Sequence, residues 1–213
     1  MRKITKRSGY EPKSLTAWKR RNPNGNYQNL SDMERQAIRS ECTQEQLYLC
    51  AYCCRPISGD RDDTMNEHVI ARRLAPNKSL DFTNIVASCK TSNQCDDMHG
   101  SQPLPLTPFM DECESELEFS LSGKVKGLTA RAKKTIDALN LGDDIKRNKS
   151  LIEFRKQHIY ALLFYGPNLG EEDYLEDDEL IQMILDDLSK PINGKLEAFA
   201  PAAISILQQW ICE

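Results

Sequence analysis

The sequence contains no long hydrophobic run, which excludes one class of protein. No stretch approaches the roughly 18 consecutive apolar residues that a transmembrane helix requires. The chain starts with a basic segment, residues 1–7, but no apolar stretch follows it, so we predict no secretory signal. The sequence therefore predicts a protein without membrane spans that stays in the cytoplasm.

Histidine is scarce, with three residues in 213, whereas cysteine is abundant, with eight. Because the cytoplasm keeps thiols reduced, these cysteines are better explained as metal ligands than as disulfides. Cys50 and Cys53 form a C-x₂-C pair, and Cys89 and Cys95 form a second pair separated by five residues. Four thiolates satisfy one tetrahedral ion and leave no open position. We therefore predict a structural Zn²⁺ that takes no part in chemistry.

The other four cysteines have different predicted roles. Cys42, Cys113 and Cys212 are interpreted as buried thiols, which behave as small hydrophobic residues. Cys54 follows Cys53 directly and could replace it as a ligand but not add to it. The alternative for the whole set is a group of buried free thiols without a metal.

Charge is distributed unevenly along the chain. Residues 1–21 contain eight Lys or Arg against one Glu, and residues 166–213 contain eleven Asp or Glu against two Lys. A basic segment suits the phosphate backbone of nucleic acid, and an acidic one suits solvent or a protein partner. A solvated face is an equal alternative at either end. The predicted nucleic-acid-binding residues are Arg2, Lys3, Lys6, Arg7, Lys19, Arg20 and Arg21.

Residue patterns predict an α+β chain that is mostly helical. After a loop-rich segment over residues 1–30, a capping-box-like start at Ser31 opens a helix through about residue 49. Short strands are predicted at 65–70 and 85–87, and a short helix follows Cys95. A β-like pattern at 114–123 precedes predicted helices at 130–141, 149–165, 174–189 and 201–211. The predicted regions are a basic arm with a helix (1–49), a metal-binding unit (50–110) and a mainly helical region with an acidic segment (111–213).

One histidine and two carboxylates accompany the cysteine pairs. His68 is the only histidine between them, and an imidazole pKa near 6.5 suits a general base. Glu67 and Asp96 are predicted to bind Mg²⁺ or Mn²⁺, and Asn84 is predicted to orient His68 by accepting its second N–H. Neighbours on a strand point to opposite faces, so Glu67 and His68 can serve one site only if the strand ends or twists there.

Glu67-His68, Asn84 and Asp96 with His99 resemble the pattern of HNH nucleases, in which an acid-histidine pair, an asparagine and a terminal Asn or His define a ββα-metal fold. The resemblance implies a small zinc-stapled HNH module embedded in a mostly helical chain. Two departures from the pattern are the five-residue spacing of the second cysteine pair and Asp at position 96. They make His99 the alternative ligand for the catalytic cation.

The chain also resembles a narrower family, the HNH nuclease subunits of Septu-type anti-phage systems and related retron defence operons. The similarity covers roughly residues 1–160 and includes the basic start, the helix leading into Cys50 and Cys53, residues 84–89, Pro105-Leu106 and residues 135–141. It implies an ATPase subunit as partner. For the retron branch, a reverse transcriptase and its DNA–RNA product are further partners. The acidic segment at 171–179 and the amphipathic helix at 181–188 are predicted to dock the ATPase.

Two other interpretations stay open. A zinc-stapled adaptor could bind nucleic acid or a partner protein without cleaving, but it leaves Glu67, His68 and Asp96 without a reason to converge. A stand-alone restriction or homing nuclease would need its own DNA-reading module, and the sequence contains neither a helix-turn-helix nor an array of fingers. His158 is interpreted as a packing residue, because it lies among apolar residues of a predicted helix. The substrate could be DNA or tRNA-like RNA.

Overall fold

The computed structural model describes residues 1–164 and 178–211. These residues form a mixed α+β fold with seven α-helices and two small antiparallel sheets. The elements are α1 (Lys13–Arg21), α2 (Asp32–Glu45), β1 (Thr64–His68), β2 (Ile85–Cys89), α3 (Asp96–His99), β3 (Leu117–Phe119), β4 (Val125–Gly127), α4 (Ala130–Leu139), α5 (Ile145–Phe164), α6 (Asp178–Ser189) and α7 (Ala200–Ile211). Four short 3₁₀ turns lie between them, at Tyr27–Asn29, Pro76–Lys78, Phe82–Asn84 and Asp111–Cys113.

The first sheet is an antiparallel pair in which Thr64 of β1 faces Cys89 of β2 and His68 faces Ile85. The sequence predicts both strands, but it places the end of β1 two residues too late. The chain leaves the sheet after His68 because the Asn84 side chain accepts a hydrogen bond from the Ile70 N–H at 2.9 Å and donates one to the Ile70 carbonyl at 3.0 Å. His68 is therefore the last residue of its strand.

Helix α2 covers one side of this sheet. Its predicted start is confirmed, since the Ser31 hydroxyl accepts from the Met33 N–H and the Glu34 side chain accepts from the Ser31 N–H. The helix ends at Glu45 and not near residue 49, because Leu47 and Tyr48 have positive φ angles of 53° and 64°.

The N-terminal residues are packed and do not form a free arm. Met1 and Ile4 are buried, and the Ile4 N–H donates to the Pro108 carbonyl at 2.7 Å. Residues 13–21 form α1, a helix absent from the sequence prediction, which places Leu15 and Trp18 in the core. The polar composition of residues 1–30 concealed this helix, since only two of its positions are buried.

The C-terminal helices follow the predicted order. Helix α4 starts at the Thr129 cap, and α5 contains one non-helical residue, Asn148. Helix α6 packs on α7 and buries the apolar face that we predicted as a docking surface, which consists of Ile181, Ile184, Leu185 and Leu188. That face is therefore covered within the chain. Most of the predicted acidic segment, residues 171–177, lies outside the described residues.

Buried apolar side chains from the N-terminal segment, the first sheet and α7 belong to one cluster. This shared core contacts the sheet that carries His68 and fixes it relative to the C-terminal helices. The boundaries of the three predicted regions stay a prediction. Within the described residues, no helix has both the length and the hydropathy needed to cross a membrane.

Candidate metal centre and adjoining cleft

The four predicted cysteine ligands meet in one buried cluster. Cys50 and Cys53 lie in the turn after α2, Cys89 ends β2, and Cys95 immediately precedes α3. All four sulfurs lie within 4.8 Å of one another, and the Cys50–Cys95 and Cys53–Cys89 Sγ distances are both 3.8 Å. A tetrahedron with metal–sulfur bonds of about 2.3 Å has sulfur–sulfur distances of about 3.8 Å. The cluster could therefore hold a metal ion such as zinc.

The protonation of these thiols is unequal. Hydrogen bonds from neighbouring cysteine sulfurs lower the pKa of Cys89, whereas burial raises the pKa values of Cys53 and Cys95. Metal ligation requires the thiolate form, so metal binding would release protons from this cluster. Cys42 and Cys113 are buried outside the cluster, as predicted for structural thiols, and Cys54, the predicted replacement for Cys53, is also buried outside it. Cys212 lies outside the described residues.

Gln94 covers one side of the sulfur cluster, a role that the sequence did not predict. Its side-chain Nε2 donates toward Cys89 at 3.4 Å, Cys53 at 3.7 Å and Cys95 at 3.9 Å, and the residue is 1% exposed. Its Oε1 accepts from Asn148 of α5 at 3.3 Å. The five-residue spacing between Cys89 and Cys95 thus leaves room for a side chain that covers the sulfurs. That unusual spacing was the available signal.

Cys95 has an unusual backbone conformation, with φ 53° and ψ −123°, at the start of α3. This region favours glycine, and a residue with a Cβ occupies it at a cost. The next residue is Asp96, and the Cys95 carbonyl accepts from the His99 N–H at 2.8 Å. The metal centre and α3 are therefore joined directly through this residue.

The three predicted cation ligands are neighbours. Glu67 is 7% exposed, and its Oε1 contacts the His99 Nδ1. The same oxygen accepts from the Tyr52 hydroxyl at 3.3 Å, and Asp96 lines the same cleft as Glu67. Glu67 lies between the other two, and the three groups do not form a set within 4.8 Å as the four sulfurs do. Glu67 and His99 are in direct contact, and Glu67 and Asp96 line one cleft.

Hydrogen-bond acceptors of Glu67 and His99 face one another. The His99 Nε2 lies 2.7 Å from the Gln102 carbonyl, which can only accept, so Nε2 carries the proton of the neutral ring. The Nδ1 lone pair then faces the Glu67 carboxyl group. Burial raises the pKa of Glu67 to about 7. Burial, with the Glu67 carboxyl group beside it, raises the pKa of Asp96 to about 8. Either protons or a cation must lie between these groups.

His68 is fixed from two sides. Its Nε2 lies 2.9 Å from the Ser79 carbonyl, so Nε2 is the donor and Nδ1 is the basic nitrogen. The Tyr27 ring contacts the imidazole edge-on, with centroids 4.7 Å apart. Burial lowers the pKa of His68, which keeps the ring neutral near pH 7. The predicted bond from His68 to Asn84 is wrong, because Asn84 holds the Ile70 backbone and the Ser79 carbonyl orients the histidine.

A cleft of about 380 Å³ contains Glu67, His68 and Asp96 in its lining. Glu67 and His68 are neighbours in sequence, and both reach this cleft because β1 ends at His68. Arg35 and Arg39 of α2 and Arg72 also line this space, although the sequence analysis did not select them. The spacing of Arg35 and Arg39, one helical turn apart on α2, was the available signal.

The basic residues predicted to bind nucleic acid are mostly paired with acids. Lys3 pairs with Asp111, Lys6 with Glu45, Arg7 with Glu41 and Glu45, and Lys19 with Glu11. Arg2, Arg20 and Arg21 have no carboxylate partner among the residues that the structure describes. The charge of the N-terminal segment is therefore largely used within the chain.

The structure thus brings Glu67, Asp96 and His99 together, places His68 in the adjoining cleft, and sets both beside four converging sulfurs. A function for the chain has to be inferred from these residues themselves, because no family model and no curated protein matches its sequence.

Proposed function

We propose that the chain is a metal-dependent HNH endonuclease that hydrolyses phosphodiester bonds of DNA or RNA. The observation that carries this proposal is the direct contact of Glu67 with His99, in a cleft that Glu67 shares with Asp96 and with the neutral, oriented His68. A hard divalent cation accepts such oxygen and nitrogen ligands. The antiparallel β1–β2 pair followed by α3 is also what a ββα-metal module would require.

Each group has a role in this proposal. His68 Nδ1 accepts a proton from a water molecule as its oxygen attacks phosphorus, and the Ser79 carbonyl stabilises the imidazolium through Nε2–H. Glu67 and Asp96, with His99 as third or alternative ligand, would hold Mg²⁺ or Mn²⁺. Such an ion, when bound, neutralises charge on the phosphate and the leaving oxygen.

The contacts of His99 in the structure support its role as a metal ligand more strongly than the sequence pattern does. A histidine that binds a metal usually donates its other N–H to a carbonyl or carboxylate, which fixes the tautomer. His99 already makes that second contact with Gln102, and its Nδ1 faces Glu67. We therefore propose Glu67 and His99 as the inner pair, with Asp96 completing the site.

The four cysteines are proposed to hold a structural zinc. Zinc binding contributes folding free energy on the order of 10 kcal/mol in small zinc modules. The two-stranded sheet with one short helix buries too little apolar surface to be stable alone. Zinc would therefore fix the end of β2, which pairs with β1, and the start of α3, and β1 and α3 carry Glu67, His68 and Asp96 of the cleft.

The resemblance to Septu-type and retron-associated nuclease subunits extends the proposal to a cellular role. On that basis the chain is a cytoplasmic effector of anti-phage defence that works with an ATPase subunit. A retron reverse transcriptase with its DNA–RNA product is a further proposed partner.

Cleavage should be tested on DNA and tRNA pools, with and without the ATPase partner, after chelation and re-addition of Mg²⁺ or Mn²⁺. We expect His68→Ala to reduce the cleavage rate by about 10² to 10⁴, the contribution of a general base. Zinc content should not change, because His68 is not one of the four cysteine ligands.

The control is His158→Gln, because His158 packs between Phe154 and Phe199 away from the cleft. It should cleave like the wild type. If His68→Ala also keeps the wild-type rate, His68 is not the base. A chain that binds nucleic acid but never cleaves it would support the adaptor hypothesis.

A further inference from the structure

We propose that Arg35, Arg39 and Arg72 form the binding site for the phosphate backbone of nucleic acid, and that the N-terminal segment does not. Only the position of the cleaved bond rests on the proposed function, because an adaptor that does not cleave could bind nucleic acid through the same three arginines. These three arginines are called the arginine triad below.

The arginine triad carries unpaired positive charge. None of its members forms an ion pair with a carboxylate in the described part of the chain, in contrast to Lys3, Lys6, Arg7 and Lys19. Within the same residues, the Arg35 Nε is buried without a hydrogen-bond partner. A phosphate in the cleft would supply the missing negative charge.

Local contacts hold the triad beside His68. The Arg35 and Arg72 guanidinium carbons lie 5.5 and 5.1 Å from the centroid of the Tyr27 ring, which itself contacts the His68 imidazole. Arg35 donates from Nη2 to the Gln28 carbonyl at 3.0 Å. Arg39 donates to the Gln36 Oε1 from Nε at 3.2 Å and from Nη2 at 2.6 Å. Arginines held this way lose little side-chain freedom on binding phosphate.

A second cavity of about 460 Å³ continues from the cleft. Tyr27, Arg72 and Gly100 line both spaces, and Arg73 and Ser101 line the second. Arg35 and Arg39 line only the first space and Arg73 lines only the second, so a backbone that passes His68 through both spaces would meet arginines in each. Arg72 is the member shared by the two positions.

The test measures binding without cleavage, using the His68→Ala chain and fluorescein-labelled oligonucleotides of one sequence as single-stranded DNA, duplex DNA and RNA. Arg72→Gln should weaken binding about tenfold, the effect of removing one charge-assisted hydrogen bond. The slope of log binding constant against log salt should fall by about 0.7 for single strands or 0.9 for duplex for each phosphate that the variant no longer neutralises. Arg72 is exposed, so this substitution leaves packing intact.

Two further variants make the result specific. Arg72→Lys keeps the charge and should keep the salt slope, although it cannot make the two-pronged contact. Lys134→Gln removes an exposed charge on α4 that lines neither cavity, and it should bind like the parent chain. Competition by adenosine monophosphate at low concentration would overturn the inference, because it would show that the site takes a free nucleotide and not a backbone.

The inference is also overturned if Arg72→Gln binds like Lys134→Gln, if Arg20→Gln with Arg21→Gln weakens binding more, or if the parent chain binds no nucleic acid. The outcomes also separate the two proposals. Normal cleavage with no effect of Arg72→Gln on binding rejects the triad but keeps the nuclease. Weakened binding in a chain that never cleaves keeps the triad but rejects the nuclease.

Discussion

At the scale of single residues, Gln94 shows how one amide can stabilise a charged cluster. Zinc with four thiolates carries two net negative charges, and Gln94 directs its N–H₂ group at three of the sulfurs from a buried position. We expect Gln94→Leu to lower zinc affinity by about 10- to 100-fold, the usual effect of removing such an outer contact. Gln94→Glu should lower it further, because it adds negative charge.

Zinc release to a chromogenic chelator measures this effect. Gln44→Leu is the control, because Gln44 is an exposed glutamine on α2 outside the cluster. Equal release rates for Gln94→Leu and the wild type would mean that the amide does not stabilise the metal.

Residue identity predicted side-chain ligands well but not backbone partners. The four cysteines were identified because thiolates at such spacing have few other uses. The partner of His68 was missed, because the Ser79 carbonyl is a backbone atom eleven positions away that no residue type marks. Asn84 was assigned to His68 by its chemistry, yet the same amide satisfies two backbone groups of Ile70.

At the scale of elements, one buried charge holds α5 against the β3–β4 turn and the segment after α4. Arg155 is 1% exposed and donates to the carbonyls of Gly123 and Leu141, both at 2.8 Å. Burial lowers its pKa to about 10. We expect Arg155→Met to lower the free energy of unfolding by about 3 kcal/mol, because it leaves both carbonyls unpaired. Arg155→Lys should recover only part of that stability, since an ammonium cannot reproduce the fork.

Urea unfolding curves test this prediction. Lys149→Met is the matched control, because Lys149 lies on the exposed side of the same helix. An Arg155→Met chain with the wild-type midpoint and slope would contradict the assigned role.

Elements with strong local signals were predicted closely, and weak ones were missed. The capping box of α2, the two short strands and the final helices all follow from residue patterns. The end of α2 is set by the left-handed backbone conformation of Leu47 and Tyr48. The end of β1 is set by the contact between the Asn84 side chain and the Ile70 backbone. Helix α1 is held by Leu15 and Trp18 in a segment otherwise rich in charge.

At the scale of the whole molecule, the C-terminal helices support the metal centre. Helix α7 packs on α5 and β3. The Phe199 N–H donates to the Cys54 carbonyl at 3.0 Å, and the Leu196 N–H donates to the Leu47 carbonyl at 3.1 Å. These two hydrogen bonds reach the turn that carries Cys50 and Cys53. A truncation that removes α6 and α7 would therefore expose the core beneath the metal ligands.

We expect truncation after residue 166 to unfold the protein rather than leave an intact metal-binding unit. Each large apolar side chain removed from the core costs about 1.5–3 kcal/mol, and a domain has only about 5–15 kcal/mol in total. Zinc content per chain and the yield of soluble protein measure the outcome. A truncated chain that is soluble and fully loaded with zinc would show that residues 1–166 fold independently.

Partner binding is better tested by a surface change. Met183 is 46% exposed on α6, and Met183→Glu alters the outer face without disturbing the α6–α7 contact.

Net charge along the sequence could not predict which surfaces are free, because the basic N-terminal residues pair with Glu41, Glu45 and Asp111 elsewhere in the chain.

The unfavourable backbone conformation of Cys95 couples the metal centre to the position of α3. Its conformation costs a residue other than glycine about 1–3 kcal/mol, and a bound metal would offset that cost through the thiolate. Once the metal left, Cys95 could relax toward an ordinary conformation. Because α3 is a single turn, Asp96 and His99 would shift with it. A chelator that removes the metal would thereby displace Asp96 and His99 without entering the cleft.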